Sequence, residues 1–173
     1  MQTIATVTPD DVLRRFRATH PVNDEVSRRT NEYAEGVLDL ASRQLGGTWH
    51  RVALDREDVL ATVLPWHTGE SGERVLVDPA GRTVADAVAT LSSWDGQYTA
   101  SNPVCWGKMV WHAEADPTPL FLSTTALDHP YYERLERRDS LTHLDGLHRM
   151  LAWALWGRLP DGPGLEAYVA GPL

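Results

Sequence analysis

The chain has 173 residues, of which 42% are hydrophobic and 23% are charged, so it is long enough for one domain with a sizeable core. Its formal net charge of -8 disfavours tight nonspecific binding to DNA or RNA, which requires a basic surface that displaces counterions. The single cysteine, Cys105, excludes an internal disulfide framework, and we expect no zinc site based on cysteine ligands.

The first part of the chain is predicted to be helical. The segment TPDDVLRRFRA begins at Thr8 with a capping threonine, a proline and two acids. This order of residues is typical of a helix start. A second helix is predicted between Asn23 and Gly46. We therefore predict an N-terminal helical portion over 1–47 and an α/β domain over 48–173, which together form one compact unit.

The remainder of the chain alternates between strand-like and helix-like segments. The predicted strands are TWHRVAL, RVLVD, VCWGKMVWH, PLFLS, LTHLD and LEAYVAG. The predicted helices are DREDVLATVL, TVADAVATL, DHPYYERLERRD and residues 147–157. A long polar loop is predicted from Ser92 to Pro103. This order indicates an α/β or α+β fold with a mixed sheet.

The N-terminal residues MQTIATVTPDDVL contain no basic segment followed by an apolar core, so we expect no signal peptide. The apolar runs of the chain are too short to span a membrane. We therefore expect a cytoplasmic protein that binds neither membranes nor nucleic acid. The sequence does not predict an oligomeric state.

The segment LTHLDGLHRMLAWALWG combines charged residues with the junction of a strand and a helix. His143 and Asp145 alternate on the strand and so point to the same side. Gly146 permits a sharp turn, after which His148 and Arg149 lie in the first helical turn. Free backbone N–H groups and the positive end of the helix dipole are found there. The pattern therefore predicts a phosphate-binding turn.

A purely structural interpretation explains the same residues. Asp145 then caps the helix and pairs with Arg149, and His143 is a buried core residue. However, cations in a first helical turn are unfavourable, because they lie at the positive end of the helix dipole. Their presence here therefore favours a site in which an anion compensates them.

This segment, followed by GLEAYVAG, resembles the signature of the ParB/sulfiredoxin-like fold over residues 141–170. The superfamily includes ParB partition proteins, sulfiredoxins and free-serine kinases, which bind nucleotide phosphates at this turn. The resemblance implies a C-terminal mixed sheet with helices. It also implies that Gly146, His148 and Arg149 contact nucleotide phosphates, with Asp145 beside them.

The chain departs from the named families in several respects. Leu147 occupies the position of the sulfiredoxin catalytic cysteine, so that chemistry is not expected. The Arg-rich segment and helix-turn-helix module of ParB proteins are not visible. The kinases use a carboxylate from an earlier segment, for which Glu114 and Asp116 are available without a motif that selects either.

The resulting prediction is a nucleotide-phosphate-binding enzyme, specifically an ATP-dependent phosphotransferase that acts on a small molecule. Asp145, His148 and His143 are the predicted catalytic residues, and Asp145 is the predicted magnesium ligand. Gly146, His148 and Arg149 are predicted to bind ATP or another nucleotide. Lys108, on the predicted strand beside Gly107, is predicted to reach a phosphate.

Two further functions remain open. The first is a protein that binds a nucleotide or another ligand without catalysis. The second is a metal-dependent enzyme that uses His143, Asp145 and His148, with a further ligand from one of three Trp-His pairs: Trp49-His50, Trp66-His67 and Trp111-His112. Because the local ligands are crowded and cysteine ligation is taken to be unavailable, we expect no tightly held zinc or iron. Cys105 is interpreted as a small buried residue, since no activating base lies near it in the sequence.

Overall fold

The computed structural model describes residues 1–67, 75–94 and 96–173. Seven strands of the described chain form one sheet: β1 (Gln2–Val7), β2 (Trp49–Leu54), β3 (Val63–Leu64), β4 (Arg82–Thr83), β5 (Leu120–Ser123), β6 (Thr142–Asp145) and β7 (Leu165–Ala170). The helices described are α1 (Pro9–Thr19), α2 (Glu25–Gln44), α3 (Arg56–Ala61), α4 (Val84–Ser93), α5 (Gln97–Ser101), α6 (Pro103–Glu114) and α7 (Leu147–Leu155).

The sheet is mixed, and its strand order is β1-β2-β7-β5-β6-β3-β4. The pairs β5–β7 and β3–β6 are parallel, whereas the other neighbouring strands are antiparallel. The predicted α+β class with a mixed sheet and helices is therefore confirmed. Strand β1, within the predicted helical portion, pairs with β2 across the predicted boundary at residue 47.

Helices cover both faces of the sheet. Side chains on β5 alternate between the faces, so Leu120 and Leu122 belong to one buried cluster and Phe121 to the other. Helices α3 to α7 contribute to the first cluster, and α1 and α2 contribute to the second. A segment of turns over residues 127–139 also packs on the second face. The two N-terminal helices thus share a core with the sheet.

The helix starts follow local capping rules. In each of α1 to α4, the N-cap side chain accepts a hydrogen bond from the third helical residue, whose own side chain accepts one from the N-cap backbone. The N-cap residues are Thr8, Asp24, Asp55 and Thr83. These contacts satisfy backbone donors that a helix start leaves unpaired, which explains why the predictions for α1, α2 and α4 are confirmed.

Several predicted elements are wrong. The segment VCWGKMVWH, predicted as a strand with Gly107 as a possible bulge, lies within helix α6, and the predicted polar loop before it contains α5. The predicted helix at 128–139 consists of turns. In the predicted strand RVLVD, the described part forms only a bridge between Val77 and His67. The polar segment HTGESGE, which the sequence also predicts to be a loop, lies almost entirely outside the described residues.

Strand β1 was not predicted, because Gln2–Val7 is exposed along nearly its whole length and lacks a buried apolar stripe. Within the described residues, no helix is both long enough and apolar enough to cross a lipid bilayer.

Candidate functional site

Gly146 connects β6 to α7 through a conformation that few other residues can adopt. Its φ of +116° lies in the left-handed region, and a Cβ atom there would lie 2.5 Å from a methyl carbon of Leu120. The same atom would lie 3.2 Å from Nη2 of Arg149. The sharp strand-to-helix turn predicted at Gly146 is therefore confirmed, and it has a steric basis.

Arg149 points into the protein and is 4% exposed. Its guanidinium forms an ion pair with Asp145 one helical turn earlier. It also donates hydrogen bonds to Thr118 Oγ1 at 2.9 Å and to the carbonyl oxygen of Pro119 at 2.7 Å. Arg149 therefore anchors the segment before β5 to the start of α7. Its predicted contact with a nucleotide phosphate stays a prediction, and this contact would compete with three internal partners.

Asp145 joins the same network to helix α1. Its Oδ2 atom lies 3.2 Å from Nε2 of His20, whose ring stacks on Phe16 with centroids 4.0 Å apart. Burial raises the pKa of Asp145, but Arg149 and His20 lower it more, so that the net pKa lies well below the usual range. Asp145 is thus an ionised partner in a network of three residues. Its predicted catalytic and magnesium-binding roles stay predictions.

His143 is buried and supports the start of α7. Its Nε2 atom accepts a hydrogen bond of 3.0 Å from the backbone N–H of Leu147. Because Gly146 has no side chain, this imidazole takes the place of a side-chain cap. Burial lowers the pKa of His143 to about 4, which keeps the imidazole neutral and able to accept the bond. The predicted catalytic role of His143 also stays a prediction.

His148 lies in a different environment from the neighbouring Asp145 and Arg149. One ligand atom each from His67, Cys105 and His148 lie within 4.8 Å of one another. Across the described residues, no other group of three or more histidine, cysteine or acidic side chains has this proximity. His143 and Asp145 are therefore not part of the metal-compatible cluster, and His148 is the only member of the predicted metal set that is.

Three separate elements assemble this cluster, which we call the His-Cys-His cluster (His67, Cys105 and His148). His67 follows β3, and its backbone N–H donates a 2.9 Å hydrogen bond to Val77. Cys105 lies in the first turn of α6, and His148 lies in the first turn of α7. Helices α6 and α7 pack together, so their N-terminal turns meet at the cluster.

Distances and hydrogen bonding within the cluster are compatible with metal ligation. Nε2 of His67 lies 3.9 Å from Sγ of Cys105. The rings of His67 and His148 meet edge to face, with centroids 5.6 Å apart. Within the described part of the chain, the buried Nε2 atom of His148 has no hydrogen-bond partner. An unpaired buried nitrogen is costly unless a ligand satisfies it.

The electrostatic environment keeps both histidines neutral. Burial, together with the nearby His67 and Lys108, lowers the pKa of His148 to about 3. Burial also lowers the pKa of His67, again with a contribution from the positive charge of Lys108. Neutral imidazole is the form that ligates metals. The cluster therefore presents two ligand-ready imidazoles beside a thiol.

Lys108 is the only lysine of the sequence and lies on α6 rather than on a strand. It follows Cys105 by three residues, so both lie on adjoining parts of the same helix face. Its side chain is exposed, whereas Cys105 is buried. Its predicted phosphate contact stays a prediction, but its positive charge is close enough to His148 to lower the pKa of that imidazole.

The sequence identified His148 but not its two companions. The sequence prediction treats cysteine ligation as unavailable, whereas the structure brings Cys105 close enough to two histidines for the three residues to share an ion. Trp66-His67 was one of three Trp-His pairs considered as sources of a further ligand, and nothing in the sequence distinguished it from the others. No activating base lies near Cys105 in the sequence, but in the folded chain Nε2 of His67 lies 3.9 Å from its sulfur.

A comparison with protein families gives one assignment. The profile of DUF6309, described as a family of unknown function, matches residues 1–173. The chain belongs to this family. No curated protein and no solved structure matches it. The family assignment indicates no activity, so a functional hypothesis has to come from the geometry of the site. The resemblance to the ParB/sulfiredoxin-like fold, with its implied ATP and magnesium, stays a prediction.

Proposed function

We propose that this member of DUF6309 is a metal-dependent enzyme with a zinc-type centre ligated by His67, Cys105 and His148. The observation that carries the proposal is the approach of three ligand atoms to within 4.8 Å of one another. Thiolate sulfur and imidazole nitrogen are the ligands that Zn²⁺ prefers in proteins.

The spacing of the ligand atoms supports this proposal. In a tetrahedral zinc centre, bond lengths of about 2.3 Å to sulfur and about 2.1 Å to nitrogen place neighbouring ligand atoms about 3.5 Å apart. The 3.9 Å between His67 Nε2 and Cys105 Sγ requires only a small movement to reach that value. The unpaired Nε2 of His148 would gain a partner in the same step.

Across the described residues the cluster offers three protein ligands, and this number supports a catalytic rather than a purely structural role. Structural zinc sites use four protein ligands, whereas catalytic sites use three and leave a position for water or substrate. His67 and His148 are partly exposed, whereas Cys105 and Nε2 of His148 are buried, so the cluster lies just beneath the protein surface. A zinc ion in such a centre lowers the pKa of bound water to about 7 and polarises carbonyl or phosphoryl oxygens. We therefore favour a hydrolytic reaction.

The chain's own residues have distinct roles in this proposal. The three ligands bind and orient the metal, and Cys105 supplies negative charge once its thiol loses a proton. His143 fixes the first turn of α7 through its bond from Leu147, and thereby positions His148. Arg149 and Asp145 hold the opposite side of the same turn.

Metal content of the purified protein tests the proposal. We expect one transition metal ion per chain in protein isolated without chelator. Cys105→Ser and His148→Gln should each lose most of that metal. His50→Gln is a matched control, because His50 is a partly buried histidine outside the cluster. Equal metal content in the parent, Cys105→Ser and His148→Gln would contradict the proposal.

A second candidate function rests on the same contact between Cys105 and His67. A thiol in the first turn of a helix beside an imidazole is the arrangement of an activated nucleophile. A thiol enzyme keeps its activity after treatment with chelator and loses it on alkylation with iodoacetamide. A metal enzyme loses its activity with chelator and regains it when the ion is returned.

A further inference from the structure

The surroundings of the His-Cys-His cluster carry positive charge. Lys108 extends from α6 one turn beyond Cys105, and it contributes to the low pKa of both His67 and His148. His112 lies one turn beyond Lys108 on the same side of α6, and its pKa is likewise affected by Lys108. One stripe of α6 thus carries, in order, a metal-type ligand, a cation and an imidazole.

Neither helix that meets at the cluster opens with an acid. Helices α1 to α4 each have an acidic residue in the first turn, whereas α6 and α7 have none. Acids in a first turn offset the positive end of a helix dipole. The dipoles of α6 and α7 therefore add to the positive potential where Cys105 and His148 meet.

Among the described residues, the acid that influences this region is Asp145, whose negative charge is compensated by ion pairs. Asp145 affects the pKa of His112 and His143, but it is paired with both Arg149 and His20. Around the cluster, the described residues supply the exposed cation of Lys108 and the positive ends of the α6 and α7 dipoles. The described wall of the cluster is therefore suited to a negatively charged ligand.

We propose that the substrate of this site is a small molecule with an oxyanion group, which Lys108 binds while the group or its neighbour occupies the open metal position. This inference rests on the proposed metal centre. Lys108 is exposed and can swing towards a ligand, whereas the guanidinium of Arg149 is occupied by internal partners. A flexible ammonium group suits a carboxylate or a phosphate, both of which present anionic oxygens.

Cobalt substitution gives a direct test, because a Co²⁺ thiolate centre has visible absorption bands that respond to the fourth ligand. The protein is loaded with Co²⁺ and titrated separately with inorganic phosphate and with acetate. We expect at least one of the two anions to change the spectrum at saturation. Lys108→Gln should weaken that anion's affinity about tenfold, which corresponds to about 1.4 kcal/mol, whereas Lys108→Arg should retain most of the affinity.

Arg134→Gln is the matched control, since it removes one exposed positive charge from the segment 127–139 on the opposite face of the sheet. Preference for phosphate or acetate identifies the kind of oxyanion. If the protein forms no cobalt–thiolate band, both this inference and the proposed metal centre fail. If cobalt binds but neither anion changes the spectrum, or if Lys108→Gln binds the anion as tightly as the parent, only the inference about the substrate fails.

Discussion

Sγ of Cys105 lies 3.9 Å from Nε2 of His67, although 38 positions separate the two residues in the chain. The pairing depends on the packing of α6 against α7 and on the bridge that fixes His67 to Val77. His148 then completes the cluster from the start of α7. A site of this kind is a property of the tertiary structure, since no short segment of the sequence contains two of its members.

Metal binding at about pH 6 should release about one proton per ion. An ordinary imidazole, with a pKa near 6.5, is largely protonated at that pH and would lose its proton on ligation. The pKa of His148 is about 3, so its imidazole is already neutral at this pH, and the lowered pKa of His67 favours its neutral form, which makes the thiol the main source of the released proton. Calorimetric titration of Zn²⁺ in buffers with different ionisation enthalpies measures this number. Release of two or three protons would show that the histidines are protonated before binding.

Gly146→Ala should destabilise the fold by about 2 kcal/mol, because a side chain at φ +116° is strained and its Cβ meets Leu120. Gly107→Ala is the matched control within a helix. A Cβ at Gly107 meets nothing within 4 Å, so this change should stabilise α6 by about 0.5–1 kcal/mol. Urea unfolding of both variants checks the prediction. Equal stability of Gly146→Ala and the parent would indicate that the turn relaxes easily.

Arg149→Met should lower the free energy of unfolding by about 3 kcal/mol, because it leaves Asp145 without its main partner and removes two further hydrogen bonds. The double variant Asp145→Asn, Arg149→Met should recover part of this loss, since no unpaired charge then remains. Chemical denaturation of the single and double variants measures the coupling. If Arg149→Met is as stable as the parent, Arg149 is not the anchor that its contacts indicate.

Acidification should destabilise the protein between about pH 6.5 and about pH 4. Folding lowers the pKa of His143 and of His112 to about 4, so in this range the unfolded chain binds more protons than the folded chain. The contribution of these histidines to the free energy of unfolding is therefore fully present above pH 6.5 and decreases as the pH falls. The loss is about 1.4 kcal/mol per pH unit for each extra proton that the unfolded chain binds. Urea unfolding across this range should give a shallower dependence for His143→Gln than for the parent. Identical slopes would exclude His143 as a contributor.

Much of the fold could be predicted because its signals are local. The helix starts at Thr8 and Thr83 are encoded by residues three positions apart, and the turn at Gly146 is encoded by a single glycine. The assignment failed at α6, where VCWGKMVWH resembles a strand because most of its apolar residues are valine or tryptophan, which favour strands. Helical spacing would have placed Cys105, Met109 and His112 on one face, with Cys105 and Met109 buried.

The candidate site was less predictable than the fold. Residues 143–149 were recognised as unusual, but the sequence did not show that Arg149 turns inward while His148 turns towards α6. That difference depends on Thr118 and Pro119, which lie 31 and 30 positions earlier and accept the hydrogen bonds of Arg149. The partners of His148 are equally remote in sequence. Local spacing can suggest which residues are reactive, but the packing of α6 and α7 decides which of them meet.

The separation of the three ligands along the chain has a consequence for folding. An ion held by His67, Cys105 and His148 closes the 38-residue stretch between the first two and a further long stretch to the third, as a covalent cross-link does. Loss of the ion would remove this cross-link between the first turns of α6 and α7. The metal-free protein should therefore open first at the junction of these two helices, while the opposite face, with α1 and α2, keeps its protection against hydrogen exchange.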